Sequence, residues 1–281
     1  MSLPKTIYLR TKDYLVSGEY FDLIQDAQKD LLQTMPQPGE DTLGDYYKSE
    51  SYISHTDQKK SLVDKAYHFV KGIALKQKTS LITTQNDGKG KLLDIGCGTG
   101  DFLVAAKNKG WEVFGVEPNE NARELSEKKD VCVKNNLEDI RDSNFDVITL
   151  WHVLEHVQDL DSYIKQISKL LNPKGTLIVA VPNYKSWDAK HYKEFWAAFD
   201  VPRHLWHFSK AAVERIFSPY HFKLIETKPM LFDSFYVSLL SEKYKTGKTN
   251  WVMAILKGSC SNLSGFFNKE YSSHIYILKR K

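Results

Sequence analysis

Lys91-Leu92-Leu93-Asp94-Ile95-Gly96-Cys97-Gly98-Thr99-Gly100 decides the fold of this 281-residue chain. Its first half is an apolar strand with an acid near its end. Its second half is a glycine turn that opens a helix, predicted over 100–108. Glycines at 96, 98 and 100 let the backbone approach a ligand where a side chain would collide. A turn of this kind at the carboxyl end of a parallel strand is where open α/β sheets bind nucleotide-like cofactors. A dinucleotide fingerprint, G-x-G-x-x-G, places its third glycine three residues after the second. Here that position is Asp101, and the third glycine comes early, at Gly100.

Outward from this turn, strands and helices alternate. Strands are predicted at 111–116, 131–133, 145–150 and 176–181, with helices at 119–128 and 160–171. Asn172-Pro173-Lys174-Gly175 stops the second of these helices. The 145–150 strand, F-D-V-I-T-L, reads as one covered on both faces. Ser209 caps a helix through Phe217, and strands follow at 222–231 and 272–278. Upstream, Leu62, Ala66, Phe69, Val70 and Ile73 recur at helical spacing, which predicts an amphipathic helix over 58–76. A polar loop is predicted over 79–90. The first 57 residues differ. Short β-like pieces (Ile7-Tyr8-Leu9, Phe21-Asp22-Leu23-Ile24, Leu31-Leu32) and Tyr52-Ile53-Ser54-His55 alternate with polar turns. The alternation implies an α/β, doubly wound sheet. The expected organisation is a small N-terminal appendage over 1–57, built of short strands or a lid. A main domain follows over 58–281, with an aromatic-rich insertion at 183–208.

Apolar residues make up 42 % of the chain and charged residues 26 %, which fits an ordinary globular protein. A net charge of +4 without a long Lys/Arg run gives no argument for nucleic acid. Three scattered cysteines form neither a disulfide framework nor a metal motif, so a cytoplasmic setting is expected. No apolar run is long enough to span a bilayer.

The string D-I-G-C-G-T-G resembles motif I of the class I S-adenosylmethionine (SAM) dependent methyltransferases, and the resemblance covers roughly 58–281. It implies a Rossmann-like, mostly parallel seven-stranded sheet with an antiparallel last strand. It also implies SAM as cofactor, with Asp94, Gly96, Cys97, Gly98 and Gly100 around the methionine part. An acidic strand end suits the ammonium of a cofactor that has no phosphate. Glu117, about twenty residues past the glycines and followed by Pro118, would accept from the ribose hydroxyls, since a carboxylate offers two acceptor oxygens. In Asn135-Asn136-Leu137-Glu138, Asn136 stands where relatives often carry an acid for the adenine amino group. Leu137 would lie on the ring. Leu150, Trp151 and His152 would complete the cofactor contacts.

Trp151-His152-Val153-Leu154-Glu155-His156-Val157 contains H-x-x-E-H, but a zinc-protease pattern belongs inside a helix and needs a third ligand. The segment is similar to the L-E-H-V signature of the ubiquinone-biosynthesis O-methyltransferases, where E-x-x-E-H can hold magnesium. His152 replaces the first glutamate. A hard cation prefers oxygen ligands, so no metal is expected. Asp200-Val201-Pro202-Arg203-His204-Leu205-Trp206-His207-Phe208 resembles a segment of a bacterial methyltransferase subgroup. The insertion would overhang the sheet as the substrate pocket, its aromatics excluding water and Arg203 binding an anionic group. His204, His207, His152 and His156 are candidate bases, with His204 slightly favoured. Some relatives carry a cysteine zinc ribbon at the N-terminus, whereas this chain has no cysteine before Cys97. The 243–257 stretch mixes Lys with Trp251 and apolar residues. It reads first as a solvated helix with a buried stripe, and second as a transient contact for a membrane or lipid-linked substrate.

The expectation is therefore a SAM-dependent, oxygen-directed methyltransferase acting on a small molecule or a glycan or lipid intermediate, with no nucleic-acid partner. The alternatives are an NAD(P)-linked oxidoreductase on a Rossmann sheet and a non-catalytic SAM-binding module.

Overall fold

A computed structural model describes residues 6–47, 62–141 and 144–280. The Tyr52-Ile53-Ser54-His55 stretch and the predicted helix start at 58–61 lie outside these residues, as do the side chains of 62–69.

Three antiparallel strands lead the chain: β1 (Thr6–Lys12), β2 (Tyr20–Asp26) and β3 (Leu31–Met35). A short helix α1 (Glu40–Leu43) follows, then the long helix α2 (Leu62–Gln85). This helix runs through most of the stretch predicted as a polar loop. Its threonines hydrogen-bond backward along the helix, Thr79 Oγ1 donating to Lys76 O and Thr83 Oγ1 to Thr79 O. Ile82 is wholly buried against the core that holds Leu92, Phe102 and Trp111. Packing of this one apolar face outweighs the modest propensity of its polar neighbours.

The main sheet begins at β4 (Lys91–Ile95), then α3 (Asp101–Lys107), β5 (Glu112–Val116), α4 (Glu120–Glu127) and β6 (Cys132–Lys134). The chain then returns to the other side of β4 with β7 (Phe145–Trp151), α5 (Leu160–Leu170) and β8 (Leu171–Pro182). After α6 (Trp187–Tyr192), β9 (Trp206–His207) and α7 (Lys210–Phe217) come β10 (Phe222–Pro229), α8 (Asp233–Thr246), α9 (Trp251–Asn268) and β11 (Ser273–Arg280). The sheet order is β10-β11-β8-β7-β4-β5-β6. Strands β4 to β8 run parallel, and β11 is antiparallel to both β8 and β10. The expected seven-stranded doubly wound sheet is therefore present. Its crossovers reverse direction beside β4, so a crevice opens at the carboxyl ends of β4 and β7.

A second sheet has the order β1-β2-β3-β9, in which β9 belongs to the insertion. The N-terminal strands thus pair directly with the segment over the crevice. Among the described residues, the insertion's buried aromatics fill a core rather than line a pocket, although Trp206 faces a cleft with Leu31, Gln158 and Ile216. Tyr184, Tyr192, Trp196 and Phe199 are buried in a second core with Phe21, Leu23 and Leu32 of the N-terminal strands. The expectation of a water-excluding aromatic lining is corrected accordingly. These side chains mostly fasten the insertion to the N-terminal sheet.

Candidate functional site

The glycine turn is shaped from both sides. Gly96 and Cys97 donate their N–H groups to Val116 O at 2.7 and 3.0 Å, tying the turn to the end of β5. Gly96 has φ +70°, and a Cβ there would lie 2.4 Å from Val153 Cγ2. Its glycine is required by the segment after β7 rather than by a ligand. Gly98, at φ +55°, has nothing within 4 Å of a Cβ position. It is the glycine that faces free space. Gly100 is the left-handed N-cap residue of α3. The Cys97 side chain is buried beneath the turn, so only its backbone is offered to a ligand.

Two carboxylates flank the turn. Glu117 accepts from Gly98 N–H at 2.8 Å and from Asn119 N–H at 2.9 Å. These bonds fix its orientation and leave a lone pair on each oxygen. Asp94 is 2 % exposed and accepts from Thr149 Oγ1 at 2.5 Å. Burial pushes its pKa up to about 7, against the pull of Thr149 and Lys78. Sequence reasoning missed Lys78. Its Nζ lies 4.2 Å from the Trp151 ring centroid, and both Asp94 and Asp233 act on its charge. Lys78 immediately precedes the stretch assigned as loop, so only the true length of α2 places it in the crevice. Burial lowers its pKa.

The other expected cofactor residues divide by exposure. Leu137 is buried behind β6, and the side chain of Leu150 lies wholly in the core, which leaves only its main chain for a ligand. Pro118 and Asn136 are exposed. Asn136 N–H is held by Asp139 Oδ2 at 3.1 Å. Trp151 packs edge-on to Phe102, and its buried Nε1 has no partner among the described residues.

The segment after β7 brings the histidines in. His152 adopts φ +57°, a left-handed conformation uncommon for a non-glycine residue. Its Nδ1 lies 3.3 Å from Glu155 Oε1 and its Nε2 3.0 Å from Asp233 Oδ2. Burial works against the charge, yet Asp233 and Glu155 raise its pKa to about 10. A group that keeps its proton at neutral pH bridges acids and does not accept protons. With both ring nitrogens facing carboxylates, His152 is less suited than His204 to take a proton from an acceptor. His207 also turns inward: it lies 3.0 Å from Thr34 Oγ1 and packs edge-on to Phe199, and burial lowers its pKa to about 3. His156 and His204 come together with ring centroids 4.6 Å apart. His204 Nδ1 lies 2.9 Å from Ala198 O, and His156 Nδ1 lies 3.0 Å from Arg203 O. A carbonyl only accepts, so Ala198 O assigns the His204 proton to Nδ1 and leaves its Nε2 with a lone pair, while His156 Nδ1 also meets the Tyr47 hydroxyl at 3.0 Å. Burial and the neighbouring His204 lower the His156 pKa to about 4. Burial opposes ionisation of Glu155, but His152 and the other two imidazoles hold its pKa down to about 2. Glu155, His156 and His204 each bring one ligand-capable atom, all within 4.8 Å of one another. One carboxylate and two imidazoles suit a transition ion better than magnesium.

Arg203 is not available for an anionic substrate. Its guanidinium is 1 % exposed, and Asp200, Asp13 Oδ1 and Tyr46 O take all of its nitrogens.

A family model described as "Methyltransferase domain" matches residues 68–227, more than half of the chain. This chain belongs to that methyltransferase family. The family's methyl donor is S-adenosylmethionine. Ubiquinone biosynthesis O-methyltransferases are similar over a shorter stretch. The Pelagibacter ubique protein is 36 % identical over 103 residues, covering 33 % of this chain and 42 % of that protein. The Coxiella burnetii protein is 33 % identical over 129 residues, covering 42 % and 53 %. The chain thus spans about half the length of the curated relatives it matches. Among solved structures, magnesium protoporphyrin IX methyltransferase from Synechocystis with bound S-adenosylhomocysteine aligns with a TM-score of 0.57 at 15 % identity, covering 86 % of this chain and all of that one. At that identity the likeness speaks for the fold. Membership in a methyltransferase family sets the nicotinamide alternative aside. The methyltransferase crevice suits SAM on two observations: the free space at Gly98, and a buried Trp151 Nε1 with no partner among the described residues.

Proposed function

We propose that this chain transfers the methyl group of SAM to an oxygen of a small molecule or of a glycan or lipid intermediate, with His204 as the proton acceptor. The observation that carries the reading is the pair of imidazoles, His204 and His156, the latter on the segment that Val153 presses against the glycine turn. Val153 bears on Gly96, Glu155 reaches back to His152, and His156 meets His204. Bound SAM supplies an electrophilic methyl carbon. The chain's own part is to hold and to orient. Asp94 and the turn backbone would take the ammonium end, and Glu117 the ribose. His204 Nε2 would remove the acceptor proton, and Glu155 would stabilise the imidazolium that forms. The ubiquinone O-methyltransferase relatives support an oxygen acceptor.

The test is turnover of labelled SAM against catechols, quinone precursors, sugars and lipid intermediates. His204→Asn should lower kcat by about 10²–10⁴-fold and leave SAM affinity within about twofold. Unchanged turnover in this variant sinks the base assignment, and SAM binding without turnover on any acceptor favours the non-catalytic module. One observation favours a second reading: Glu155 Oε2 is buried with no partner among the described residues. A divalent transition ion on Glu155, His156 and His204 would bind the acceptor oxygen directly. Loss of activity in chelator, restored by zinc or manganese, would establish it.

A further inference from the structure

Helix α9 is inside out. A surface helix normally turns its large apolar residues toward the core. Here the inward positions are Ala254, Gly258, Ser261 and Gly265, recurring at helical spacing. The seat is specific. A Cβ on Gly258 would lie 2.6 Å from Phe235, and one on Gly265 would lie 2.6 Å from Tyr271. Ser261 Oγ donates to Oδ1 of the fully buried Asp188 at 2.7 Å, while Ser272 Oγ and Trp196 Nε1 hold Asp188 Oδ2. The helix therefore cannot roll over without unseating a buried carboxylate.

The opposite face carries Val252, Ile255, Leu256, Leu263, Phe266 and Phe267, again at helical spacing, and all are more than half exposed (Phe267 by 76 %). Trp251 extends this face at the N-terminal end. Asn262 Nδ2 donates to Leu231 O at 2.9 Å, so the exposed Leu231 and Phe232 continue the face alongside. Asp233, next in the chain, pairs with His152, so the apolar face borders the crevice. The expectation of a solvated helix with a buried stripe is corrected here. The stripe exists, but it points outward.

Charge selects the occupant. Residues 243–269 hold five lysines and no Asp or Glu, which exceeds the formal net charge of the whole chain, +4. Lys243, Lys245 and Lys248 flank the Trp251 end, and Lys269 marks the other. Two copies meeting face to face would bring these like charges together. An anionic surface would neutralise them. We propose that α9 docks this chain on the surface of an anionic lipid bilayer, its apolar face in the acyl boundary and its lysines at the headgroups. No helix among the described residues is long and apolar enough to cross a membrane, so the contact lies in the plane of the interface. The proposal stands independently of the acceptor and of the catalytic role of His204.

The experiment is flotation of the full chain with vesicles of phosphatidylglycerol and phosphatidylcholine, against vesicles of phosphatidylcholine alone. Binding to the anionic vesicles should exceed binding to neutral ones by about tenfold and weaken as salt rises. Phe266→Ser with Phe267→Ser should abolish flotation, and Lys245→Gln with Lys248→Gln should weaken it about tenfold. Both pairs lie on the surface, and unchanged circular dichroism melting shows that each variant is folded. Absence of flotation at low salt, or flotation equal in wild type and the double-Phe variant, overturns the proposal. A concentration-dependent dimer in sedimentation velocity that Phe267→Asp abolishes, with no vesicle binding, overturns it in favour of a second copy.

Discussion

Under the proposed reading, Asp94 is the residue that meets the ammonium of the cofactor. It is buried under the glycine turn, and its pKa is raised to about 7 by that burial. An acid in this state is half protonated near neutral pH, whereas pairing with an ammonium requires the carboxylate. SAM affinity should therefore fall as pH drops below about 7, approaching tenfold per unit, and level off above it. Calorimetry near pH 6 in buffers of different ionisation enthalpy should show a proton released on binding. Asp94→Asn should weaken binding and remove the slope. A flat affinity between about pH 5.5 and 8 would mean that Asp94 does not meet the ammonium. Asp94 and Glu117 were legible because strand ends and glycine spacing fix where they fall. Lys78 was not, because it reaches the crevice from α2, whose length depends on packing against Leu92, Phe102 and Trp111.

At the scale of elements, Arg203 latches the N-terminal sheet to the insertion. It joins Asp200 of the insertion to Asp13 and Tyr46 of the N-terminal segment, and the Arg203–Asp13 pair is almost wholly excluded from water. Burial opposes ionisation of Asp13, but Arg203 and the N–H groups of Ser17 and Leu15 hold its carboxyl below the usual range. Thr34 adds bonds to His204 O and Leu205 O, and Asp30 receives Tyr184, Lys185 and Ser209. These contacts hold the N-terminal strands to the insertion with no cysteine before Cys97. Removing one partner of a buried pair strands the other charge, so Arg203→Met should cost about 3–5 kcal/mol. A lowered Tm and early proteolysis near the 13–19 turn would show it. Adding Asp13→Leu should recover part of the loss, since it removes the more deeply buried of the two acids that Arg203 neutralises. An Arg203→Met protein that melts like wild type would remove Arg203 as the latch. The sequence offered this arginine as an anion binder because a cation in a substrate segment carries no mark of its partners. Asp13 lies 190 positions away.

Across the whole molecule, the parallel sheet was legible from apolar runs and glycine punctuation, which are local signals. The second core was not. The aromatics of the insertion look alike whether they line a pocket or fill a core, and only pairing of β3 with β9 decides. The histidines show the same limit, and they set how the folded chain responds to acid. Burial holds His207 at about 3 and His274 at about 4, both below an unfolded histidine. A depressed histidine pKa means that the unfolded chain binds the proton first. The stability these residues contribute is full above about pH 6.5 and is lost as pH falls from there toward the folded values, by about 2 kcal/mol each at pH 5. Asp94 acts in the opposite sense. Its raised pKa means that ligand-free stability falls as pH rises from about 4 to about 7. In the ligand-free protein Asp94 offsets about 2 of the roughly 4 kcal/mol that His207 and His274 lose between about pH 7 and pH 5. With saturating SAM, Asp94 is held ionised and the histidine loss stands uncovered. The loaded protein should therefore show the steeper fall in urea midpoint over that range. His274→Gln keeps a neutral polar side chain but has no proton to gain, so it should reduce the fall by about 2 kcal/mol in either state. An unchanged pH slope in His274→Gln would show that His274 is not buried as a neutral imidazole.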